Sequence, residues 1–433
     1  MLIKKIKNYF KPKSNEDKLW ENALKFMPRG TQTMSKCPDQ FVDGVYPKFA
    51  DESKGAYLKG LDGKWYLDFM CGLGPIILGF NHKRTNTAVK DQLEKGIIHS
   101  LPSLLEQELA ELICEVVPCA EQARFCKNGT DADLAAVRIA RCYTGREHIV
   151  KCGYHGWGDW HGITMREYGI PKSLKKVVSE FEYNNLKSLE KELKKRPVAG
   201  VIMEVQALTA PEPGFLEGVR ELCTKYGALL IFDEVVTGFR WSLGGASEYY
   251  GVTPDLCCLG KAIANGMPLA VIAGKKEYMQ ELNHAFFSMT FGGECLSLAA
   301  GIETIKELKT KDYNHIWELG NTLDLGMKNL AKMYDLKINF AGSAPRHNLT
   351  FDSSYKDPNG MKALFYQEMV KQGILFPNVI YIQFSHTMRD IEKTLLAATH
   401  AFEVVAKNID NIDKVLEGKK SIDIFRKNIL LKK

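Results

Sequence analysis

The stretch at residues 228–261, ALLIFDEVVTGFRWSLGGASEYYGVTPDLCCLGK, constrains the fold more than any other part of the chain. An unbroken apolar run at 228–232 stops at two carboxylates, Asp233 and Glu234, and a second apolar segment at 256–259 stops at Gly260 and Lys261. Runs without polar alternation read as parallel strands buried on both faces. Two such strands would each deliver an ionisable residue at a carboxyl end, the edge at which open α/β sheets bind ligands.

An acid and a lysine brought together in this way suit pyridoxal phosphate. The lysine would hold the aldehyde as a Schiff base, and the buried acid would keep the pyridine nitrogen protonated so that the ring accepts electrons. Two plainer readings compete at this point. An apolar run ending in Asp-Glu also describes the Walker B strand of a nucleotidase, but that chemistry needs a G-x-x-x-x-G-K-[ST] loop and the chain has none. An Asp at a strand end can also be a simple turn residue.

The chain has 433 residues, 45% hydrophobic and 25% charged, which is enough to bury two to three domains or subdomains. Its net charge of +6 is concentrated at the ends: Lys4, Lys5, Lys7, Lys11 and Lys13 on one side, Arg426, Lys427, Lys432 and Lys433 on the other. The body carries no Lys/Arg stripe interleaved with aromatics, so a nucleic-acid partner is not expected. The eleven cysteines form no C-x-x-C pair and no Cys/His cluster of zinc spacing; neither a disulfide nor a metal is expected, and reduced thiols suit the cytoplasm. The opening MLIKKIKNYFKP is amphipathic, but lysines interrupt the apolar core that a signal peptide needs. It is either a frayed arm or a short helix on an anionic membrane surface, and membrane contact is not expected.

In chain order, a helix at 16–26 leads to an irregular segment and then to KGAYLKGLDGKWYLDF, a hairpin about Asp62 and Gly63. A helix is expected at 104–117, a strand at 123–126 and a helix at 132–143. Between the last two lies the turn Asn128, Gly129, Thr130, with Thr130 and Asp133 in capping-box spacing. That turn would present a helix N-terminus, which binds phosphate. Strands follow at 148–152, 198–205, 228–235, 256–259 and 270–274, with a helix at 216–226. Alternation of this kind predicts a doubly wound α/β sheet. Beyond residue 309 the pattern changes to a separate α+β unit: a long helix, two or three strands between 336 and 384, and helices at 361–372 and 389–407. The expected division is 1–63 (arm and part of a small domain), 64–308 (large domain) and 309–433 (the rest of the small domain).

With these motifs placed, the chain resembles the class III aminotransferases of pyridoxal-phosphate fold type I, and within them the branch containing glutamate-1-semialdehyde aminomutase. GPIILGFNH, KNGTDADLAAVRIARCYTGR, YHGW, PGFLEGVRELCTKYGALLIFDEVVTGFR, YYGVTPDLCCLGKAIANGMP and TFGGECLSLAAG carry the likeness in the family's order. The resemblance implies a homodimer with shared sites, a large doubly wound domain and a smaller α+β domain built from both termini. It implies that Lys261 forms the Schiff base and moves the proton, that Asp233 pairs with the pyridine nitrogen, and that His155 supports Asp233. Tyr154 would stack on one ring face and Val235 would press on the other. Asn128, Gly129 and Thr130 would hold the phosphate, together with Thr290 from the partner subunit. Glu204 would touch the substrate side or be a structural carboxylate.

Departures bear on the substrate. Where the aminomutase has a serine and an arginine for the substrate carboxylate, Thr33 and Lys36 stand here, and a lysine lacks the planar bidentate grip of a guanidinium. Leu73 replaces a tryptophan and Asn128 a serine. Trp157 and Trp160 follow YHG, either to stack on a sugar or base or simply to pack, and Arg346 is the candidate for an amino donor's carboxylate. The variants together resemble a subgroup associated with surface-polysaccharide and amino-sugar synthesis. The expectation is an aminotransferase taking an amine from an amino acid, glutamate, to an aldehyde or ketone acceptor. Glutamate-1-semialdehyde 2,1-aminomutase is the alternative within the fold, and a catalytically idle pyridoxal-phosphate-binding scaffold is the alternative outside it.

Overall fold

The computed structural model describes residues 14–421, so the lysine-rich arm read as frayed or membrane-lying falls outside the described residues. A meander of β1 (Ala50–Lys54), β2 (Tyr57–Gly60) and β3 (Trp65–Asp68) comes first, the last two joined by the expected Asp62-Gly63 turn. The central sheet has seven strands: β4 (Gln122–Cys126), β5 (His148–Cys152), β6 (Val178–Glu180), β7 (Val198–Glu204), β8 (Leu229–Glu234), β9 (Leu256–Leu259) and β10 (Ala270–Gly274). Their order is β4-β10-β9-β8-β7-β5-β6, and only the pairings made by β10 are antiparallel.

The continuous apolar run of β8 has a direct physical reason. Ile231 packs towards the helix α4 (Gly129–Thr144) with Ala132, Ala136 and Ile139, while Leu230 and Phe232 pack on the opposite face with Phe215, Val219 and Cys223 of α7 (Phe215–Tyr226). Both faces are dry, so each large side chain contributes about 1.5–3 kcal/mol of burial and neither face tolerates alternation. Side-chain alternation then turns Asp233 to the same side as Ile231, beneath α4.

The helix α1 (Asn15–Phe26), α3 (Leu104–Val116), the long α9 (Asn314–Met333), α10 (Pro358–Lys371) and α11 (Met388–Lys407) fall where helical periodicity placed them. The elements α2 (Lys83–Leu93), α5 (Asp159–Met165), α6 (Leu186–Lys195), α8 (Cys295–Leu308) and β6 were not anticipated. In α2 the buried side chains are the polar Thr85 and Gln92, and β6 is three residues long, so neither presents an apolar period.

The expected start of α4 is corrected by the structure. The helix begins at Gly129, and Asn128 is its N-cap, its backbone N–H donating to the Asp131 carboxylate at 2.9 Å. Thr130 therefore lies inside the first turn, and Asp133 is not a capping residue but is directed into the sheet-facing side.

The C-terminal strands β11 (Ile338–Ser343), β12 (Arg346–Phe351) and β14 (Val379–Tyr381) form an antiparallel sheet against α9, α10 and α11. The short β13 (Ile374–Leu375) leaves them and pairs in parallel with β3, setting Ile374 opposite Leu67 and Leu375 opposite Asp68. Tyr57 Oη donates to Asp390 Oδ1 at 2.6 Å across the same junction. All eleven cysteines are free thiols.

Candidate active site

Asp233 is the penultimate residue of β8 and is 5% exposed. Its Oδ2 lies 2.7 Å from His155 Nδ1, and its Oδ1 accepts the Val235 N–H at 3.0 Å. His155 is fully buried, and its Nε2 faces the Cys152 carbonyl at 3.1 Å. A carbonyl only accepts, so Nε2 carries a hydrogen; the partner on the other side is a carboxyl, so either the imidazole is doubly protonated or Asp233 holds the proton. His161 donates nothing here: its Nε2 accepts the His155 N–H at 3.3 Å, and burial with Lys151 nearby pushes its pKa down to about 2, leaving it neutral. Glu234, by contrast, is a structural acid. It accepts from Thr237 Oγ1 (2.8 Å), Ala246 N (2.6 Å) and Ser247 N (2.8 Å), pinning the loop that follows β8.

Parallel pairing sets Asp233 opposite Cys258 and Glu234 opposite Leu259, which puts Lys261 at the same sheet edge as Asp233. Lys261 has φ 40°, a left-handed backbone that non-glycine residues seldom adopt, a strain of about 1–3 kcal/mol. The turn is held by Asn265, whose Oδ1 accepts from Ile77 N (3.0 Å) and Leu78 N (2.9 Å) and whose Nδ2 donates to the Gly79 carbonyl (3.0 Å). The fully buried Arg240 donates to the carbonyls of Gly74 (2.7 Å) and Ile76 (3.1 Å) and lies 5.1 Å over the Tyr381 ring. A Cβ at Gly74 would sit 3.4 Å from Lys261 Cδ and 3.2 Å from that ring, so this loop runs directly against the lysine.

The Asn128–Gly129–Thr130 turn opens the sixteen-residue α4 at the same edge. A Cβ on Gly129 would lie 2.7 Å from Val235 Cγ2, and one on Gly156 only 2.0 Å from Thr130 Oγ1. Both glycines are needed for the YHG loop and the Val235 side chain to close around the helix end, whose first N–H groups have no intrahelical partner. A phosphate group fits such an end. Tyr154 stands at this rim, half-exposed, with its ring perpendicular to His161 at 5.3 Å.

Glu204 ends β7 and accepts the Tyr154 N–H at 3.1 Å, and Arg346 lies 3.6 Å from its other oxygen while donating to the Ala207 carbonyl at 3.3 Å. Tyr154, Glu204 and Arg346 are thus brought together, beside Asp233 and Lys261. Trp157 is 79% exposed, whereas Trp160 is buried in the core beside His155, which makes it a packing residue. Thr33 and the exposed Lys36 lie on the N-terminal loop, tied to α5 through Met34 Sδ, which Arg166 approaches at 3.8 Å. Thr290 is exposed on the loop before α8, a loop anchored by Arg124 to the Phe287 carbonyl and by Arg138 to that of Phe286. Among the described residues no hydrogen bond joins Thr290 to the 128–130 turn of its own chain.

Sequence reasoning missed Arg240, Asn265 and Asp133. The first two stand in the quoted motifs VVTGFR and KAIANGMP, but only the fold shows that they clamp the 71–80 loop onto the lysine turn. Asp133 could have been found as the one acid among Ala132, Ala135, Ala136 and Val137 on the apolar face of α4.

A sheet of this order with a lysine and a buried acid at one edge, and a helix end beside them, defines a pyridoxal-phosphate-dependent transferase of fold type I. The family model described as Aminotransferase class-III matches residues 42–390, and the chain belongs to that family. It is 36% identical over 409 residues to 3-aminobutyryl-CoA aminotransferase of Cloacimonas acidaminovorans, covering 90% of this chain and 97% of that protein. It is also 36% identical over 422 residues to glutamate-1-semialdehyde 2,1-aminomutase 2 of Lachnoclostridium phytofermentans, covering 88% and 98%. Among solved structures it is similar to an omega-transaminase from Sphaerobacter thermophilus (TM-score 0.85, 25% identity, 92% and 99% covered). The pyridoxal-phosphate internal aldimine form of FumI from Sphingopyxis is comparable (TM-score 0.83, 26% identity, 92% and 97% covered). The protein is a pyridoxal-phosphate-dependent enzyme. Among the described residues no helix is long and apolar enough to cross a membrane.

Proposed function

We propose that the protein moves the amino group of an amino acid, L-glutamate, onto a sugar-derived aldehyde or ketone in surface-polysaccharide synthesis. The observation that carries the transfer chemistry is the placement of Lys261 and the His155-backed Asp233 at one sheet edge beside the helix end at 128–130. When bound, pyridoxal phosphate supplies an electron sink for the electrons left when the substrate loses its proton. Lys261 takes and returns that proton through Nζ, serving both halves of the exchange as base and acid. Asp233 holds the ring nitrogen, Asn128, Gly129 and Thr130 hold the phosphate, and Tyr154 and Val235 fix the ring plane. Arg346 receives the donor's carboxylate, while Thr33, Lys36 and Trp157 meet the acceptor. Thr290 completes the phosphate site of a second copy in a cytoplasmic homodimer. We propose the domain division 1–63, 64–308 and 309–433 on the same basis.

The aminomutase is the second reading, favoured by the name of a relative at 36% identity. Lys36 and Leu73 in place of an arginine and a tryptophan weigh against it, because a single ammonium recognises a carboxylate without the fork geometry of a guanidinium. The idle scaffold is opposed by the intact Lys261.

The test is the absorbance spectrum of the cofactor-loaded protein before and after L-glutamate, with 2-oxoglutarate assayed in the mixture. Loss of the lysine-bound aldehyde band with release of 2-oxoglutarate is expected. An unchanged spectrum removes glutamate as donor, and turnover of glutamate 1-semialdehyde without a donor would establish the aminomutase instead.

A further inference from the structure

The α4 helix places an acid where it otherwise buries only alanine, valine and isoleucine. Asp133 is 2% exposed, and its Oδ1 has no hydrogen-bond partner. Its carboxyl receives the Cys258 thiol. One carboxyl oxygen of Asp133, a ring nitrogen of His155 and a carboxyl oxygen of Asp233 all lie within 4.8 Å of one another. An orphaned buried oxygen costs about 1–3 kcal/mol, which an alanine at this position would avoid. That cost points to a use.

The use follows from counting charge. His155 faces an acceptor with each ring nitrogen and so carries a proton on both when Asp233 is ionised, making the pair neutral. A ring nitrogen that becomes protonated here places a net positive charge in a site from which water is excluded, where uncompensated charge is expensive. One further anion within a few ångströms restores balance.

We propose that Asp133 is a second counter-ion for the cofactor's ring nitrogen, a positioning residue that acts through Asp233 and His155. This rests on the reading of Asp233 as the ring-nitrogen partner. Before the ring enters, burial and the like charge of Asp233 hold the Asp133 carboxyl well above the usual carboxylate range, so it is neutral. The other groups facing it are Cys258 on β9, Lys261 beyond it, Glu204 on β7 and Tyr154 after β5. On binding, Asp133 would give up the proton of its O–H by way of Asp233 to the ring nitrogen, and the carboxylate left behind would balance the cation so formed.

The experiment compares full-length wild type with Asp133→Asn, an isosteric amide to which Cys258 can still donate. Pyridoxal phosphate labelled with 15N in the ring is bound to each cofactor-free protein. The ring resonance and the dissociation constant are followed across about two pH units above neutrality, with circular dichroism as the check on folding. The wild-type resonance is expected to stay that of a protonated ring, while in Asp133→Asn it moves towards the unprotonated position and affinity falls about tenfold, one pKa unit's worth. Unchanged resonance and affinity in the variant would overturn the proposal and leave Asp133 as a packing acid. If Asp133→Asn does not fold, Asp133→Ser reads the same resonance with the same two outcomes. A wild type that binds no pyridoxal phosphate would instead overturn the reading of Asp233 and Lys261, so the two failures are distinct.

Discussion

Lys261 and Asp233 stand at the same sheet edge but do not share a backbone state. The lysine sits at φ 40° in a turn clamped by Asn265, while Asp233 lies in regular β8. Lys261→Ala is expected to lower turnover by at least about 10²-fold, the usual worth of a positioned acid–base group, with the far-UV spectrum and thermal midpoint of wild type. Near-normal turnover in that variant would remove the proposed proton carrier. Both residues were legible in the sequence because each ends a run of apolar residues, and such an end is a sheet edge whatever the rest of the chain does. Asp133 was not. An acid on a helix is solvated in most folds, and its burial depends on which side of α4 meets the sheet.

At the scale of elements, the strands of the central sheet were readable where they are buried on both faces, as β7, β8, β9 and β10 are. β6 and α2 were not, because their contacts are made by short or polar segments, and pairing with β5 or packing on α8 supplies what propensity does not. Asn265 joins two elements that sequence distance hides from each other. Its replacement by Ala would leave the N–H groups of Ile77 and Leu78 and the Gly79 carbonyl without their partner. A loss of about 2–4 kcal/mol is expected from urea unfolding, given about 1–3 kcal/mol per buried unsatisfied group with partial relaxation. A loss below half a kilocalorie would mean that the loop holds itself.

At the scale of the whole molecule, acid should unfold the protein through its buried histidines. Burial pushes His347 and His386 down to about 4, so both are neutral in the fold and titrate near 6.5 when it opens. Depressed values of this kind contribute stability above pH 6.5 that is lost as pH falls towards 4, up to about 3 kcal/mol per histidine. Asp68, raised to about 6 by burial, runs the other way: it favours the fold at low pH and gives that up as pH rises through 6. The difference between wild type and His386→Gln isolates the histidine. Urea midpoints between pH 4.5 and 7 should fall less steeply in the variant, and parallel profiles would assign the acid sensitivity elsewhere.

The pairing of β13 with β3 has a consequence for how the protein is made. Ile374 lies opposite Leu67 although about three hundred residues separate them in the chain. A ribosome that has finished the central sheet has still not supplied the strand that completes the first one. Until residues 374–375 and the helix bearing Asp390 emerge, the edge of β3 and the Tyr57 hydroxyl have no partner from their own chain. The nascent chain therefore carries an open strand edge while the roughly three hundred residues between β3 and β13 are made, and closure of that sheet waits for the strand that follows α10.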